Sequence, residues 1–588
     1  MTTGGTVRGL RRGPMRAATG LLVCVAAGCA SMPASSGPIA VPTGSSTRPG
    51  AVTFSAPRPN AGESSSDIVR DFIEASSVGA STDHSAARTF LTPAGAQSWN
   101  PNSGVTITTG VPLVHEIDHG KRAQVLLQQI GLLDASGSYQ PRVRTFSVTL
   151  TLEKVHGQRR IARLPPGLIV SEGDFLRLYA ATRIYFLSKA RHVVVPDLRY
   201  FAVPNAYKPD RLLQALIAGP SPWLAPAVAT AVPAGTRVQP QVRKSGTTLT
   251  VDLIGGTSVP PDQVRDFLAQ IVWTLTQGGA GSAIRVTIVQ NGQPLAVSGV
   301  PRTQSISTWG AYNPDRLPGS LPTYQLLQPS TEHTQLAVDG DTVPGELGSG
   351  RRRIYSYGVA LDNGRVAAVV ARGNQQQVYV GAFRKLVPGP VATSFTRPTW
   401  GGRGDTVWTV MNHRQLVSIS ASTGHPRLLA APALAGVGGI TQLAVSRDGT
   451  RAALVTTDGK LYVAAVSADS SKAVLSGLRL ITPGVPGVTD VVWASSADLI
   501  GIAPPSPAAV PVPWQLDVDG MRQRALSPAG LPGAAESVAA APSQPTLVSS
   551  EDSLYYYLLT SDSWRGDVTS DRNGESFQLA GTQTAYPG

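Results

Sequence analysis

The chain has almost no cysteine. Of its 588 residues only Cys24 and Cys29 carry a thiol, and both fall within the first 29. Everything downstream therefore has no disulfide and no thiol nucleophile, and must be stable by core burial alone. Lysine is scarce, outnumbered by arginine about five to one, and charged residues make up only 15% of the chain. With 61 glycines and 47 prolines, this composition suits loop-rich β structure better than long helices. No apolar stretch reaches the roughly 20 residues that span a bilayer. Two common catalytic signatures are missing as well. There is no Gly-x-Ser-x-Gly and no Ser-x-x-Lys, so the usual hydrolase and penicillin-binding chemistries have no motif to stand on. His-Glu-x-x-His occurs once by letters, at His115-Glu116-Ile117-Asp118-His119, and its chemistry needs both histidines on one face of a helix.

What is present begins at the N-terminus. Arg8, Arg11, Arg12 and Arg16 precede an apolar run over residues 17–27, then Gly28 and Cys29. A basic segment, a short apolar core and small residues before a cysteine read as a cleaved signal peptide (residues 1–28). Ala26-Ala27-Gly28-Cys29 resembles a bacterial lipobox, with Ala26 where leucine is usual. Cleavage falls between Gly28 and Cys29, and Cys29 takes the lipid as a thioether. One acyl chain anchors only marginally, at about 0.8 kcal/mol per buried CH2, so two or three chains such as palmitate are needed for stable attachment. The expected location is the cell membrane, lipid-anchored on its extracytoplasmic side. The formal net charge of +13 could suit nucleic acid, anionic lipid or an acidic partner. Export argues against nucleic acid, and the one basic block, Arg351-Arg352-Arg353, has no aromatic interleaving.

Residues 29–62 form the lipidated N-terminus and a Ser/Pro/Gly/Ala-rich tether with no hydrophobic period. An α+β domain is expected over residues 63–188. Ser66 is the expected cap of a helix whose apolar face holds Ile68, Phe72 and Ile73, and a second short helix is expected near residues 85–90. In residues 144–152, Phe146, Val148, Leu150 and Leu152 alternate with polar residues, the mark of a half-buried strand. Helices followed by a meander suggest a cone-like domain of the nuclear-transport-factor-2 type.

A second α+β unit is expected over residues 189–305. Residues 192–195 and 199–203 read as strands, Asp210 as the cap of a helix carrying Leu212, Leu213, Leu216 and Ile217, and Gly219-Pro220 as its stop. Asp262 opens an amphipathic helix with Val264, Phe267, Leu268, Ile271, Val272 and Leu275 on one face. A hairpin turns at Asn291-Gly292. Leu216-Ile217-Ala218-Gly219-Pro220, Ala231-Val232-Pro233-Ala234-Gly235-Thr236 and Leu249-Thr250-Val251-Asp252-Leu253, in that order, resemble the GerMN domain of exported bacterial proteins.

Residues 318–588 behave as a degenerate repeat of roughly 40–48 residues, the length of a four-stranded propeller blade. Inner-strand anchors are expected at Tyr357-Gly358-Val359-Ala360-Leu361, Arg397-Pro398-Thr399-Trp400, Leu443-Ala444-Val445-Ser446, Val491-Val492-Trp493-Ala494 and residues 537–541. Ser446-Arg447-Asp448-Gly449 resembles the turn of propeller blades. Five units are clear. A sixth is expected from the segment near Tyr324 together with Tyr555-Tyr556-Tyr557, if the chain ends close the ring. The competing reading is a β-sandwich with irregular loops.

Candidate sites are few. His115 and His119 could ligate a metal only on a helix, and their neighbours read as a strand entering a turn; two histidines without a third ligand rarely hold zinc. Asp339-Gly340-Asp341 and Asp517-Val518-Asp519-Gly520 lack the rest of a calcium loop and read as turns. Arg403-Gly404-Asp405 and Arg565-Gly566-Asp567 match an adhesion tripeptide by letters and read as ordinary turns. Trp400, Trp408, Trp493, Trp514 and Trp564 read as blade cores. No catalytic, cofactor or metal residue is expected, and the protein reads as a non-enzyme.

The fold class expected is thus multidomain: two N-terminal α+β domains, the second GerMN-like, followed by an all-β propeller. Lipobox, tether and these three domains, in this order, resemble the actinobacterial lipoprotein LpqB family. The resemblance implies a partner role, binding the extracytoplasmic part of the sensor kinase MtrB and affecting MtrA–MtrB two-component signalling, cell-wall homeostasis and division. Two other readings stand beside it: a receptor for peptidoglycan fragments using the GerMN-like domain or the propeller mouth, and a hydrolase with a non-standard site.

Overall fold

The computed structural model describes residues 56–588, apart from 79–83, 190–191, 204, 240–241, 257–260, 278–282, 296, 320, 329, 331, 402–403, 470–471, 571–575 and 579. The signal segment, Gly28, Cys29 and most of the tether lie outside these residues. Ala56–Gly588 forms one compact unit. No described helix is long and apolar enough to cross a membrane.

The first domain is a five-stranded sheet with helices on one face. Its strands run, in spatial order, Gln158–Arg163, Tyr139–Val155, Arg122–Asp134, Gly104–Ile117 and Leu168–Ser171. The last pair is parallel and the others are antiparallel. The helix Ser65–Val78 buries Ile68, Val69, Phe72 and Ile73 against this sheet. Each such side chain contributes roughly 1.5–3 kcal/mol. The cap is Ser64 and not Ser66: its Oγ accepts from the Asp67 backbone N–H at 3.1 Å, because the helix starts at Ser65, two residues earlier than a cap at Ser66 would allow. Register shifts between Thr109 and Leu113 and between Gln129 and Gly131 mark bulges, which bend a sheet. At Gly131 a Cβ would sit 2.2 Å from the Tyr139 ring, so only glycine lets that ring cross the strand.

The second domain begins within the stretch first assigned to its neighbour. Tyr179–Ser188 pairs antiparallel with Val194–Ala202, which makes it a strand of the second unit. Val194–Ala202 is one strand where the sequence suggested two, because the strand runs unbroken through Pro196 and Asp197. The helix Pro209–Ala218 starts at Pro209 with no side-chain cap. Asp210 instead accepts from the Val242 N–H at 2.7 Å, tying the helix start to a loop. The helix Pro261–Thr276 buries the predicted face. It also buries Gln270 and Thr274. Gln270 donates to the Tyr185 carbonyl at 3.1 Å, and Thr274 Oγ1 accepts from the Tyr185 N–H at 3.1 Å. These bonds offset the desolvation of the polar groups and fix the helix against its strand. Thr248–Ile254 lies parallel to Arg285–Gln290, and Asn291 and Gly292 both take positive φ in the tight turn that follows.

The third domain is a six-bladed propeller. Five blades are continuous four-stranded antiparallel sheets, starting at Ile354, Thr399, Ile440, Asp490 and Ser537. Every predicted inner anchor begins or overlaps one of these first strands. The sixth sheet joins Thr582–Ala585 to Tyr324–Leu327, Gln335–Val338 and Asp341–Thr342. The ring is therefore closed by both ends of the domain, as expected. The closing strand is Thr582–Ala585 and not Tyr555-Tyr556-Tyr557, which lies in Ser553–Leu558 of the fifth continuous blade. The alternation of Leu554 and its neighbours fits either place, and only the pairing Tyr324↔Ala585 decides. Trp400, Trp408, Trp493 and Trp564 are buried, and Trp514 is half-buried.

Candidate functional site

The propeller channel is filled by side chains. Arg397, just before the second continuous blade, reaches Asp490 of the fourth at 3.0 Å. Asp490 also accepts from the Val538 N–H at 3.1 Å. From the blade turn, Arg447 donates to the carbonyls of Trp493 at 3.0 Å and Ala540 at 3.4 Å. Burial pushes the Arg447 guanidinium down to about 10. Tyr586 and Gly588 lie in the same channel, and the Gly588 N–H donates to the Val359 carbonyl at 3.0 Å. The space left is about 70 Å³, room for a water or two and far below a ligand pocket. The propeller mouth read from the sequence as a fragment-binding site offers, in this part of the channel, only that small void.

The open concave surfaces lie elsewhere, along the seam between the propeller and the two α+β domains. This seam is polar and buried. In the turn Ser446-Arg447-Asp448-Gly449, Asp448 pairs with Arg451, both side chains 0% exposed. The Arg451 guanidinium reaches the Pro196 carbonyl at 3.3 Å, and Ser188 Oγ donates to the Asp448 carbonyl at 2.9 Å. Arg451 charge and hydrogen bonds from Ser446 and Thr450 offset the burial of Asp448 and hold its carboxyl below the usual range. A second buried pair, Arg199–Asp197 at 2.7 Å, joins the first two domains. Arg199 donates to the carbonyls of Ser136 at 3.0 Å and Gly219 at 3.1 Å, and Asp197 accepts from the Ser221 N–H and Oγ. Gly219 belongs to the predicted helix-stop motif, so that motif's carbonyl anchors the interdomain arginine.

The loop at Asp517-Val518-Asp519-Gly520 is a turn, as read from sequence, and it inserts between domains. Asp519 lies 3.4 Å from the Tyr200 hydroxyl, and Met521 packs into the core of the first domain. Burial first, then the neighbouring Asp519 and Asp498 carboxylates, push Asp517 up to about 7. Burial also raises Asp519 and Asp315. Asp315 accepts from the Ser496 N–H at 2.7 Å and Oγ at 2.8 Å, the fastening of the second domain to the fourth continuous blade.

Among the described residues, clefts of about 590, 570 and 610 Å³ open on the seam. The first lies where all three domains meet, between Leu133 and Ser138 of the first, Trp223 of the second and Arg479 of the propeller. The other two share Arg183, Ala497 and Asp498. Arg479, Trp223, Arg397 and Asp490 were not legible as site residues, since Arg397 and Asp490 stand 93 positions apart in segments with no motif.

The remaining sequence candidates fall apart spatially. His115 is in a strand, and Asp118 and His119 take positive φ in the turn beyond it. Asp339 and Gly340 form the turn before Asp341. Arg565 and Gly566 end a strand, and Arg403 lies outside the described residues. Among the described residues no group of three or more His, Cys, Asp or Glu is placed to hold a metal.

This three-domain chain has known relatives. Family models match three stretches: the N-terminal domain of lipoprotein LpqB over residues 58–176, a sporulation and spore germination domain over 183–296, and the LpqB beta-propeller domain over 334–573. Lipoprotein LpqB of Rhodococcus opacus is 31% identical, with 87% of each chain covered. That of Rhodococcus jostii is 30% identical over 85% of this chain and 86% of its own, and that of Thermobifida fusca 26% identical over 97% and 98%. A solved structure, TolB from Acinetobacter baumannii, is similar at a TM-score of 0.34 and 12% identity, over 60% of this chain and 98% of its own. The chain belongs to the LpqB lipoprotein family.

Proposed function

We propose that this is a non-enzymatic accessory lipoprotein, anchored through Cys29 to the extracytoplasmic face of the cell membrane. It binds the extracytoplasmic domain of the sensor kinase MtrB and modulates MtrA–MtrB signalling, with effects on cell-wall homeostasis and division. The observation that supports a binding role most directly is the seam. Buried ion pairs and interdomain hydrogen bonds hold three domains as one body, and a rigid body loses little conformational entropy on docking. A ligand biases a two-state sensor only by its differential affinity for the two states. Confinement to the same membrane raises the effective concentration, so a weak contact is occupied. Soluble protein starting at Ala30, which contains the whole compact unit, titrated against the purified MtrB ectodomain by calorimetry should show saturable one-to-one binding. No heat of binding at high micromolar concentration would reject the kinase contact in this form.

A second reading, a receptor for peptidoglycan fragments, is favoured by the three-domain cleft of about 590 Å³, which has the volume of a small-ligand pocket. Retention on insoluble peptidoglycan above a control propeller supports it, and equal retention argues against it.

A further inference from the structure

The cleft where the three domains meet is lined by a cation that has no carboxylate within ion-pair distance. Arg479, on the outer strand Lys472–Leu480 of the third continuous blade, lines it together with Trp223, Leu132, Leu478, Thr106 and Ser138. The guanidinium lies over the Trp223 ring at 5.1 Å, and one Nη donates to the Tyr139 carbonyl. Its Nε is shut off from solvent and has no acceptor. Among the described residues no carboxylate pairs with Arg479 within 4.0 Å. The neighbouring acids are otherwise engaged. Asp197 is paired with Arg199. Asp134 accepts from the N–H groups of Ser136 at 2.8 Å and Ser138 at 3.0 Å. Burial raises the Asp519 pKa and the Arg479 charge opposes that rise, but the two groups are not within ion-pair distance. Burial also lowers the Arg479 pKa, yet a guanidinium stays charged at neutral pH.

The side chain is held in place from three sides. Gly477, at φ +61°, lets its strand approach the Trp223 carbonyl, where a Cβ would meet that oxygen at 2.9 Å. Tyr139 is positioned by Gly131, and Trp223 by the turn after Ser221, which Asp197 fixes. Each domain thus contributes one wall, and a partly desolvated cation faces the space between them. A buried charge is costly unless it is paired, and an arginine fork matches a carboxylate in two parallel hydrogen bonds.

We propose that this cleft binds a small organic carboxylate, whose anion pairs with Arg479 and whose body lies along Leu132, Leu478 and the indole of Trp223, with Thr106 and Ser138 supplying hydroxyl contacts. The proposal deepens the peptidoglycan-fragment reading, which uses the same cleft, and is independent of the kinase reading. The carboxylate can come from an acidic amino sugar or from the end of a peptide. The test separates them: calorimetry on the full chain in detergent with N-acetylmuramic acid, with D-alanyl-D-alanine, and with N-acetylglucosamine as the sugar lacking the carboxylate. Expected is saturable binding of at least one of the two acids, quenching of tryptophan fluorescence, and no binding of N-acetylglucosamine. Arg479→Gln should weaken binding at least tenfold and Arg479→Lys less. Thr106→Trp, which fills the cleft and leaves Arg479 in place, should abolish it should the arginine variants fail to fold. Arg183→Gln, on the other clefts, should leave it unchanged. Absence of binding by both acids, or binding by the Arg479→Gln and Thr106→Trp proteins equal to that of the unaltered protein, overturns the proposal. MtrB binding measured on the same proteins is a separate readout, so failure of either idea is recognisable by itself.

Discussion

Arg397 and Asp490 meet at 3.0 Å across the propeller axis, from blades that are not neighbours. The pair bolts the ring from inside, and the Asp490 side chain is only 4% exposed. Removing the arginine leaves a carboxylate in the channel with only backbone partners. Arg397→Ala should therefore cost about 3 kcal/mol in denaturant unfolding, whereas replacing both residues by apolar ones of similar volume should cost less than the single change. Equal losses in the two proteins would show that the pair is not the source of the effect.

The Asp448–Arg451 pair acts between domains, through the Pro196 carbonyl. Arg451→Met leaves Asp448 unpaired at the seam and should cost about 3–5 kcal/mol. Limited proteolysis should then cut between the second domain and the propeller sooner than in the unaltered protein. Cleavage at an unchanged rate would mean that the seam does not depend on this contact.

Ring closure by Thr582–Ala585 predicts that the last strand is needed for the whole propeller. Removing residues 581–588 exposes the edge of Tyr324–Leu327 and leaves the Ser537 hydroxyl without the Thr584 N–H that now meets it at 3.0 Å. Thermal unfolding should become broader and shift down by several degrees, since a lost strand also removes buried apolar area. A melt that stays sharp at the same temperature would refute this role.

Asp517 gives the stability a pH dependence of definite sign. An aspartate titrates near 3.9 in an unfolded chain, and in the folded protein it is pushed up to about 7. Between these values the folded state keeps a proton that the unfolded state has lost. Its contribution to stability is therefore fully present at about pH 4 and below, declines as pH rises towards 7, and is flat above that. Asp498, Asp519, Arg183 and Arg522 are the charged groups that act on it. Asp517→Asn should remove this slope and melt higher than the unaltered protein at pH 8. Parallel melting curves for the two proteins from pH 5 to 8 would exclude Asp517 as the source.

The proposed lipid attachment at Cys29 predicts that the Cys29→Ala protein leaves the membrane fraction and accumulates in the soluble one. Its persistence in the membrane fraction would require another attachment.

The propeller was legible because its inner strands are short apolar runs such as Leu443-Ala444-Val445 bounded by turns, and period and turn chemistry are local properties. The amphipathic face of Pro261–Thr276 was legible for the same reason. The cap at Asp210 was not, because its carboxylate bonds to Val242, 32 positions away, and an aspartate near a helix start looks the same whether it caps or reaches elsewhere. The candidate cleft was the least legible part. Arg479 sits in an ordinary edge-strand pattern and Trp223 in a proline-rich turn, and neither is marked by spacing.

The sequence by itself determined the order of the α+β, GerMN-like and propeller regions and the character of each. These depend on residues that are neighbours in the chain. Only the tertiary structure decided which strand closes the ring, that the channel is bolted, and that a cation with no carboxylate within ion-pair distance lies at the junction of three domains. The reason is physical: ion pairing and desolvation depend on distance in space, and the partners here are brought together from segments tens to hundreds of residues apart, by packing that no local pattern encodes.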